Sequence, residues 1–237
     1  MTDTSRLPEL LVFDLDDTLL DHKSAETAAL GQVHAEFEEL ARVPLSEWVD
    51  EYRTANAQLW KAYSLGSVTR AELQRRRFLE PMEALGILQQ EDGAAGSADP
   101  DPDADPDPDA GRGGASGRRE EQIARIGTTY MARYRGHWEW MPGAREAYHA
   151  LAARFPIGIL TNGFLETQRL KCDQFGFWDT AHKVVISEEV GVMKPDRRIF
   201  DHTRGEVPPD KVLYVGDSLH SDIRGGTAAG WRTAWYR

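Results

Sequence analysis

The sequence has little cysteine, few basic residues and no long apolar run, and each scarcity excludes a class of protein. Its only cysteine, Cys172, rules out an internal disulfide and a cysteine-built metal site, as is typical of a reducing compartment. Cys172 falls in a helical pattern, so we expect a small buried side chain. No apolar run approaches the ~20 residues of a membrane helix, and the amino-terminal residues lack a secretory pattern. We therefore expect a cytoplasmic protein without a membrane partner.

Acidic residues outnumber basic ones by 39 to 28, for a net charge of −11 among 237 residues. Residues 91–117 hold eight acids against one arginine, so this segment carries −7 and the remainder only −4. Neither value is the electrostatic footprint of a nucleic-acid-binding protein, so we exclude nucleic acid as a partner. A mildly acidic body can still bind an anion where a metal ion and a lysine are placed for it.

Much of the acidic charge lies in a segment that we do not expect to fold. Residues 99–110 read DPDPDA twice. Proline removes backbone donors, the aspartates repel one another, and no apolar side chain offsets the entropy of ordering. We predict a disordered acidic insert over about residues 91–118. An EF-hand calcium loop is disfavoured, because the glycine at its sixth position and the glutamate at its twelfth are missing.

Apolar periodicity divides the rest of the chain into a helical part and an alternating part. From Lys23 to about Gly136, apolar residues recur at three- and four-residue steps and predict consecutive helices. After Pro142, strands and helices alternate, which is typical of a parallel sheet with helices on its faces. The apolar run 10–13 must join that sheet, because a lone strand is not stable. We predict a Rossmann-like α/β core, residues 1–21 and 139–237, with an inserted α-helical cap domain at 22–138.

Three aspartates follow closely on the first predicted strand. If the strand continues to Asp16, then Asp14 and Asp16 lie on one side of it and Asp17 on the other. Crowded carboxylates repel unless a cation or a proton lies between them, and Mg²⁺ prefers such oxygen ligands. The simpler alternative is that Asp16 or Asp17 caps the next helix while Asp14 faces water.

Polar residues also follow the other predicted strands, where ligands bind in open parallel sheets. These ends carry a threonine, an amide, a lysine and two acids, namely Thr161, Asn162, Lys194, Asp217 and Asp222. A metal held by carboxylates, together with a lysine and a hydroxyl, fits a phosphoryl group. No glycine-rich nucleotide-binding loop of the Walker type is present, so a carboxylate nucleophile that forms an aspartyl-phosphate is the natural substitute.

Four segments resemble, in chain order, the motifs of the haloacid dehalogenase-like (HAD) superfamily: Asp14-x-Asp16-x-Thr18, Thr161, Lys194-Pro195 and Gly216-Asp217-Ser218-x-x-x-Asp222. Residues 159–164, 185–195 and the stretch from 56 to 78 are similar to the YjjG-type pyrimidine nucleotidases. The resemblance implies a phosphoric monoester hydrolase that acts on nucleoside 5'-monophosphates, with pyrimidines favoured.

The resemblance also implies catalytic and phosphate-binding roles. Asp14 would attack phosphorus, and Asp16 would protonate the leaving oxygen and then deprotonate the hydrolytic water. Thr161 and Lys194 would hold the phosphoryl oxygens, with Asn162 helping through its side chain or backbone. Relatives that remove halide lack an acid at the position of Asp16, because halide leaves without a proton. This acid therefore favours a phosphatase.

For the cofactor, the resemblance implies Mg²⁺ bound by Asp14, the backbone carbonyl of Asp16 and Asp217, with Asp222 supporting the acidic loop.

Other functions remain open from the sequence. A phosphatase for sugar phosphates, phosphoglycolate or other small phosphorylated metabolites is the nearest alternative, because the cap selects the leaving group. A phospho-acceptor module of the receiver type is disfavoured by the Asp14-x-Asp16 spacing and the helical insert. A catalytically silent protein that binds a partner through its acidic insert would show no turnover. The oligomeric state is not predicted.

Overall fold

The computed structural model describes residues 7–89 and 112–237. Backbone contacts divide the chain into two compact units, one of Met1–Lys23 and Trp138–Arg237 and the other of Ser24–His137. We propose that the first unit is the predicted α/β core, residues 1–21 and 139–237, and the second the predicted cap, residues 22–138.

The first unit contains a five-stranded parallel sheet in the order β3-β2-β1-β4-β5. The strands are β1 (Leu10–Phe13), β2 (Ile157–Thr161), β3 (Lys183–Ile186), β4 (Val212–Gly216) and β5 (Arg232–Trp235). The chain adds β2 and β3 on one side of β1, then crosses to add β4 and β5 on the other. The strand order therefore reverses at β1 and β4, and the predicted Rossmann-like α/β fold is confirmed.

The central strand β1 is apolar because both of its faces are buried. Leu10 and Val12 pack in one hydrophobic cluster, whereas Leu11 and Phe13 pack in another. Successive side chains of a strand point to opposite faces, so these clusters lie on the two sides of the sheet. Full burial of such a side chain contributes about 1.5–3 kcal/mol, which makes β1 a firm base for the residues that follow it.

Helices connect the strands of the first unit. They are α5 (Ala144–Ala152), α6 (Leu165–Phe175), α7 (Phe177–Thr180), α8 (Ser187–Val190), α9 (Arg197–Arg204) and α10 (Gly225–Ala228). After β4, a π-helical segment, Leu219–Arg224, leads into α10. The wider turn lies where the carboxylate of Asp222 turns back to accept a hydrogen bond from the backbone of Ser218.

The second unit consists of α1 (His22–Glu36), which begins in the first unit, α2 (Leu45–Ser64), α3 (Arg70–Ala84) and α4 (Arg112–Arg135). Thr69 and Glu72 form a capping box at the start of α3. An aromatic core joins α2, α3 and α4, with the ring centroids of Tyr52 and Phe78 5.4 Å apart and those of Tyr52 and Tyr130 5.6 Å apart. The contacts between these rings stabilise the packing of the three helices.

Helix α4 begins inside the segment predicted to be disordered. Residues 112–118 continue the helix that the sequence predicts only from Arg119. The last proline of the insert is Pro108, and extending an existing helix is far easier than starting one, so these residues join α4. The rest of the predicted acidic insert, up to residue 111, lies outside the described residues. None of the helices in the described ranges has the length and apolar character to cross a bilayer.

Candidate active site

Polar side chains meet at the carboxyl ends of β1, β2 and β4, where the strand order reverses. Asp14 follows β1, Thr161 ends β2, and Asp217 follows β4. Because β1 lies between β2 and β4, the topology brings these residues to one edge of the sheet. Lys194 and Asp222 reach the same place from the segments after β3 and β4. The structure therefore brings together the residues that the sequence identified.

The loop after β1 differs from the sequence-based expectation. β1 ends at Phe13, so strand alternation does not carry on to Asp16. Asp17 has a left-handed backbone with φ 60°, and its Oδ1 accepts a hydrogen bond of 3.0 Å from the amide of Lys23 in α1. The capping alternative is therefore right for Asp17. It is wrong for Asp14, which is only 6% exposed, and for Asp16, whose carboxylate contacts side chains of α6.

Lys194 is the centre of a buried network of ion pairs and hydrogen bonds. Its Nζ donates to Oδ1 of Asp14 at 2.6 Å, to Oδ1 of Asp222 at 2.8 Å and to the Tyr214 hydroxyl at 2.8 Å. Burial opposes the charge of Lys194, but the two carboxylates outweigh it and raise the pKa of the ammonium group. Lys194 therefore stays positively charged between two acids.

Asn162 fixes the backbone of Lys194. Its Nδ2 donates to the Lys194 carbonyl at 3.0 Å, and its Oδ1 accepts from the Lys194 amide at 2.9 Å. Both ends of the Asn162 amide are thus used within the protein. These two bonds use one of the two Nδ2 hydrogens, so the contact expected between Asn162 and a phosphoryl oxygen, by side chain or backbone, stays a prediction.

Three carboxylates form a cluster that suits a hard cation. Ligand oxygens of Asp14, Asp217 and Asp222 lie within 4.8 Å of one another. Burial, Asp17 and Asp222 raise the pKa of Asp217, because negative charges crowd it in a partly buried place. An all-oxygen donor set with excess negative charge fits Mg²⁺, so the residues present suit the expected metal.

Asp222 differs from the other two carboxylates of this cluster, because both of its oxygens accept hydrogen bonds within the protein. Oδ1 of Asp222 accepts from Lys194 and Tyr214, and its Oδ2 accepts from the Ser218 amide at 2.9 Å. A Cβ at residue 216 would lie 2.5 Å from Oδ2 of Asp222, so Gly216 leaves the room that this carboxylate needs. Both oxygens of Asp222 thus have donors within the protein, which leaves Asp14 and Asp217 as the side chains of the cluster that could hold a metal.

Burial raises the pKa of the Asp14 carboxyl group well above its usual range, and the positive charge of Lys194 only partly opposes this effect. Asp222 adds to the rise, because two carboxylates share one lysine. A metal ion at the carboxylate cluster would act in the opposite direction and favour the ionised form of Asp14.

Asp16 lies in a different electrostatic setting. Lys171 Nζ lies 2.5 Å from its Oδ1, and Gln168 Nε2 lies 2.9 Å from its Oδ2. Burial raises the pKa of Asp16, but Lys171, His22 and these hydrogen bonds outweigh burial and lower it overall. The pKa values of the two aspartates of the first motif, Asp14 and Asp16, are therefore shifted in opposite directions.

Thr161 is 1% exposed, and its hydroxyl contacts the Gln168 amide and the backbone carbonyl of the next residue. Gln168 Nε2 is 2.9 Å from Oγ1 of Thr161, and Oγ1 donates a long bond of 3.4 Å to the Asn162 carbonyl. This long bond is weak, so the hydroxyl is available to a stronger acceptor such as a phosphoryl oxygen.

Sequence reasoning missed Gln168, Lys171 and Tyr214. A signal for the first two exists, since Gln168 and Lys171 are three residues apart in α6 and share its buried face with Cys172. Polar residues on the buried face of a helix need partners. Tyr214 sits in the alternating pattern of β4, where a tyrosine is indistinguishable from an ordinary core residue.

The fold and the acidic edge of the sheet agree with one class of protein. Residues 8–230 match the family model of the haloacid dehalogenase-like hydrolases, and the chain belongs to this family. The family resemblance inferred from the motifs is thus confirmed.

Individual relatives extend this result. The chain is 30% identical to the pyrimidine 5'-nucleotidase YjjG of Escherichia coli, over 95% of this chain and 84% of the relative. It is 28% identical to the pyrimidine 5'-nucleotidase PynA of Streptococcus pneumoniae, over 96% and 83%. The crystal structure of the HAD-hydrolase YfnB of Bacillus subtilis, bound to magnesium, is similar with a TM-score of 0.70 and 26% identity, covering 97% of this chain and 88% of that chain.

Proposed function

We propose that this protein is a Mg²⁺-dependent phosphomonoesterase that hydrolyses nucleoside 5'-monophosphates, with pyrimidine nucleotides preferred, through an aspartyl-phosphate. The observation that carries the proposal is the position of Asp14, which lies in an ion pair with Lys194 and in a carboxylate cluster with Asp217. Such a site holds a nucleophile, a cation for phosphoryl oxygens and ligands for a metal. The preference for pyrimidine nucleotides is taken from the similarity to YjjG and PynA.

In the first step, a carboxylate oxygen of Asp14 attacks phosphorus. The new O–P bond forms as the P–O bond to the nucleoside breaks, and the leaving oxygen takes a proton from the carboxyl group of Asp16. Lys194 and Thr161 hold phosphoryl oxygens while charge moves onto the leaving group. The products of this step are a nucleoside and an aspartyl-phosphate.

In the second step, Asp16 acts as a base. It accepts a proton from water as the water oxygen attacks phosphorus, and the bond between Asp14 and phosphorus breaks to release phosphate. Asp16 is again protonated at the end, which balances the cycle. The donors around Asp16 favour its ionised form and suit this step, whereas the negative phosphate of an arriving substrate raises its pKa and suits the first.

The metal would be held by Asp14, Asp217 and the backbone carbonyl of Asp16. When bound, Mg²⁺ neutralises negative charge on the phosphate and on the Asp14 carboxylate. Asp222 positions the loop that carries Asp217, through its hydrogen bond with the Ser218 amide.

The test is phosphate release from UMP, dUMP, dTMP, AMP, glucose 6-phosphate and phosphoglycolate, with Mg²⁺ and with EDTA. We expect turnover of the pyrimidine nucleotides that EDTA abolishes and that falls at least roughly 10⁴-fold in Asp14→Asn, because the nucleophile is lost. The matched control is Asp173→Asn, which changes an exposed aspartate of α6.

The possible results separate the parts of the proposal. Metal-dependent turnover of sugar phosphates or phosphoglycolate alone would keep the phosphatase and reject the nucleotidase. Turnover that persists in Asp14→Asn would reject the aspartyl-phosphate mechanism. A lack of turnover with every substrate would reject the function.

A further inference from the structure

Helix α6 supplies two buried polar side chains that the mechanism above does not use. Lys171 and Gln168 are each only 2% exposed. Lys171 Nζ contacts Oδ1 of Asp16 at 2.5 Å, and Gln168 Nε2 contacts Oδ2 at 2.9 Å. Each oxygen of Asp16 thus has its own donor, and both donors come from one rigid helix. The direction in which the Asp16 carboxyl group points is therefore fixed by α6.

The Gln168 amide is itself held in one orientation. Its Nε2 also contacts Oγ1 of Thr161 at 2.9 Å and the Asn162 carbonyl at 3.2 Å. A flipped amide would turn its oxygen towards a carboxylate and a carbonyl, which have no proton to donate. Gln168 Oε1 is buried with no hydrogen-bond partner among the described residues, an unfavourable arrangement that the contacts of Nε2 must offset.

The backbone leaves room for this amide. A Cβ at residue 163 would lie 2.6 Å from Nε2 and 2.9 Å from Cγ of Gln168, so Gly163 permits an approach that a larger residue would block. Gln168 therefore links Asp16 to Thr161, two residues with different tasks in the proposed reaction.

A purely structural role explains Lys171 poorly. Its ammonium group lies 5.5 Å from the centroid of the Trp138 ring, beside the buried Cys172. An apolar side chain would fill such a place without the cost of desolvating a charge. The charge at Lys171 is better explained by the carboxylate that it contacts.

We propose that Lys171 and Gln168 are positioning residues that hold the Asp16 carboxyl group in place for proton transfer to and from the reacting oxygens. This inference rests on the proposed function, because it concerns the acid and base of that reaction. It extends the site beyond the residues of the sequence motifs, to the buried face of α6.

The test uses two substrates that need the proton to different extents. UMP has a poor leaving group, which must be protonated as it departs, whereas p-nitrophenyl phosphate releases a stable phenolate. The quantity compared is kcat/KM, which covers the steps up to release of the leaving group. We expect Lys171→Met to lower kcat/KM for UMP roughly 10- to 100-fold and that for p-nitrophenyl phosphate only a few fold.

Two other variants calibrate this result. Asp16→Asn removes the acid itself and sets the largest difference between the substrates. Arg169→Met removes a charge from the exposed side of the same helix, where Arg169 pairs with Glu189, and we expect no change with either substrate.

The inference is overturned if Lys171→Met lowers kcat/KM equally for both substrates, or lowers it for neither. If Lys171→Met does not fold, as judged by circular dichroism, Gln168→Met takes its place. Because Gln168 also contacts Thr161, we then expect kcat/KM to fall with both substrates and to fall further with UMP, and an equal fall overturns the inference. Failure of the proposed function looks different, because the wild-type protein would then not turn over UMP, and the inference, which rests on that function, would fall with it.

Discussion

Two buried lysines, Lys194 and Lys171, each contact an aspartate of the first motif, but they do so in opposite kinds of surroundings. The side chains of Lys194 and its partners Asp14 and Asp222 are 3%, 9% and 0% exposed. The Lys171 side chain is 2% exposed, whereas that of Asp16 is 25% exposed. One aspartate is enclosed with its lysine, and the other opens to solvent on one side.

This difference matches the two tasks that we propose. A nucleophile has to be fixed and shielded, and the enclosed network around Lys194 achieves that. An acid and base has to exchange protons with substrate and water, which an open carboxylate held from behind can do. The pKa shifts of Asp14 and Asp16 differ in the same way. Burial outweighs Lys194 at Asp14 and raises its pKa, whereas Lys171, His22 and the hydrogen bonds together outweigh burial at Asp16 and lower its pKa.

The largest expected effect is the loss of stability on replacing Lys194, which should exceed the loss on replacing Lys171. Lys194→Met leaves two buried carboxylates without their cation and should lower the free energy of unfolding by about 3–5 kcal/mol. Lys171→Met leaves one partly exposed carboxylate that keeps the donor from Gln168, and should cost about 1–3 kcal/mol. Urea denaturation followed by circular dichroism measures both.

A second substitution sharpens this comparison. Adding Asp222→Asn to Lys194→Met removes one of the two buried carboxylates that have lost their cation, and should recover part of the lost stability. The double variant should still be inactive, because the lysine proposed to hold phosphoryl oxygens is missing. If Lys171→Met cost as much as Lys194→Met, the contrast between an enclosed and an open pair would be wrong.

An intermediate effect concerns the hydroxyl of Tyr214, which accepts from Lys194 at 2.8 Å and donates to Asp222 at 2.9 Å. Tyr214→Phe should cost about 1–2 kcal/mol of stability and lower kcat several fold, because the network that holds Asp14 loosens. Tyr148→Phe is the matched control, since it loses a hydrogen bond of 3.0 Å to Thr180 away from the site. Tyr148→Phe should lower the stability without lowering kcat. An equal fall in kcat for both variants would contradict the role of Tyr214.

The smallest effect at neutral pH concerns Cys172, which lies beside Lys171 in α6. Burial raises the pKa of its thiol from 9.0 to about 12. The unfolded chain therefore releases this proton from about pH 9, while the folded protein keeps it to about 12, so this group lowers stability as the pH rises through that window. A maleimide should label Cys172 at pH 8 in urea and not in the native protein. Rapid native labelling would show that α6 opens readily, against the rigid support inferred for Asp16.

The sequence was sufficient for the fold because its signals are local. The continuous apolar run of β1 and the alternation after Pro142 predicted the sheet, and strand ends predicted which polar residues meet. Burial of Cys172 is confirmed as well. These features depend on periodicity, which neighbouring residues determine.

The contacts that the sequence did not predict depend on three-dimensional packing. Whether Asn162 faces a ligand or the Lys194 backbone is decided by a loop that lies far away in sequence. In the sequence, Lys171 looks like an ordinary helix residue, and only the packing of α6 beside Asp16 shows its partner. No local pattern in the sequence distinguishes such residues from solvated ones, because their partners are distant.

The position of β1 at the centre of the sheet has a consequence for synthesis of the chain. Leu11 pairs with Ile157 on one side and with Leu213 on the other, and no strand closer in sequence is available to it among the described residues. Strand β1, which precedes Asp14, is made before the other four strands, and its second edge stays unpaired until β4 has been made. At about 5–20 residues per second on the ribosome, its apolar run spends several seconds or more without a partner. Until then it is a target for chaperones and for wrong strand pairing.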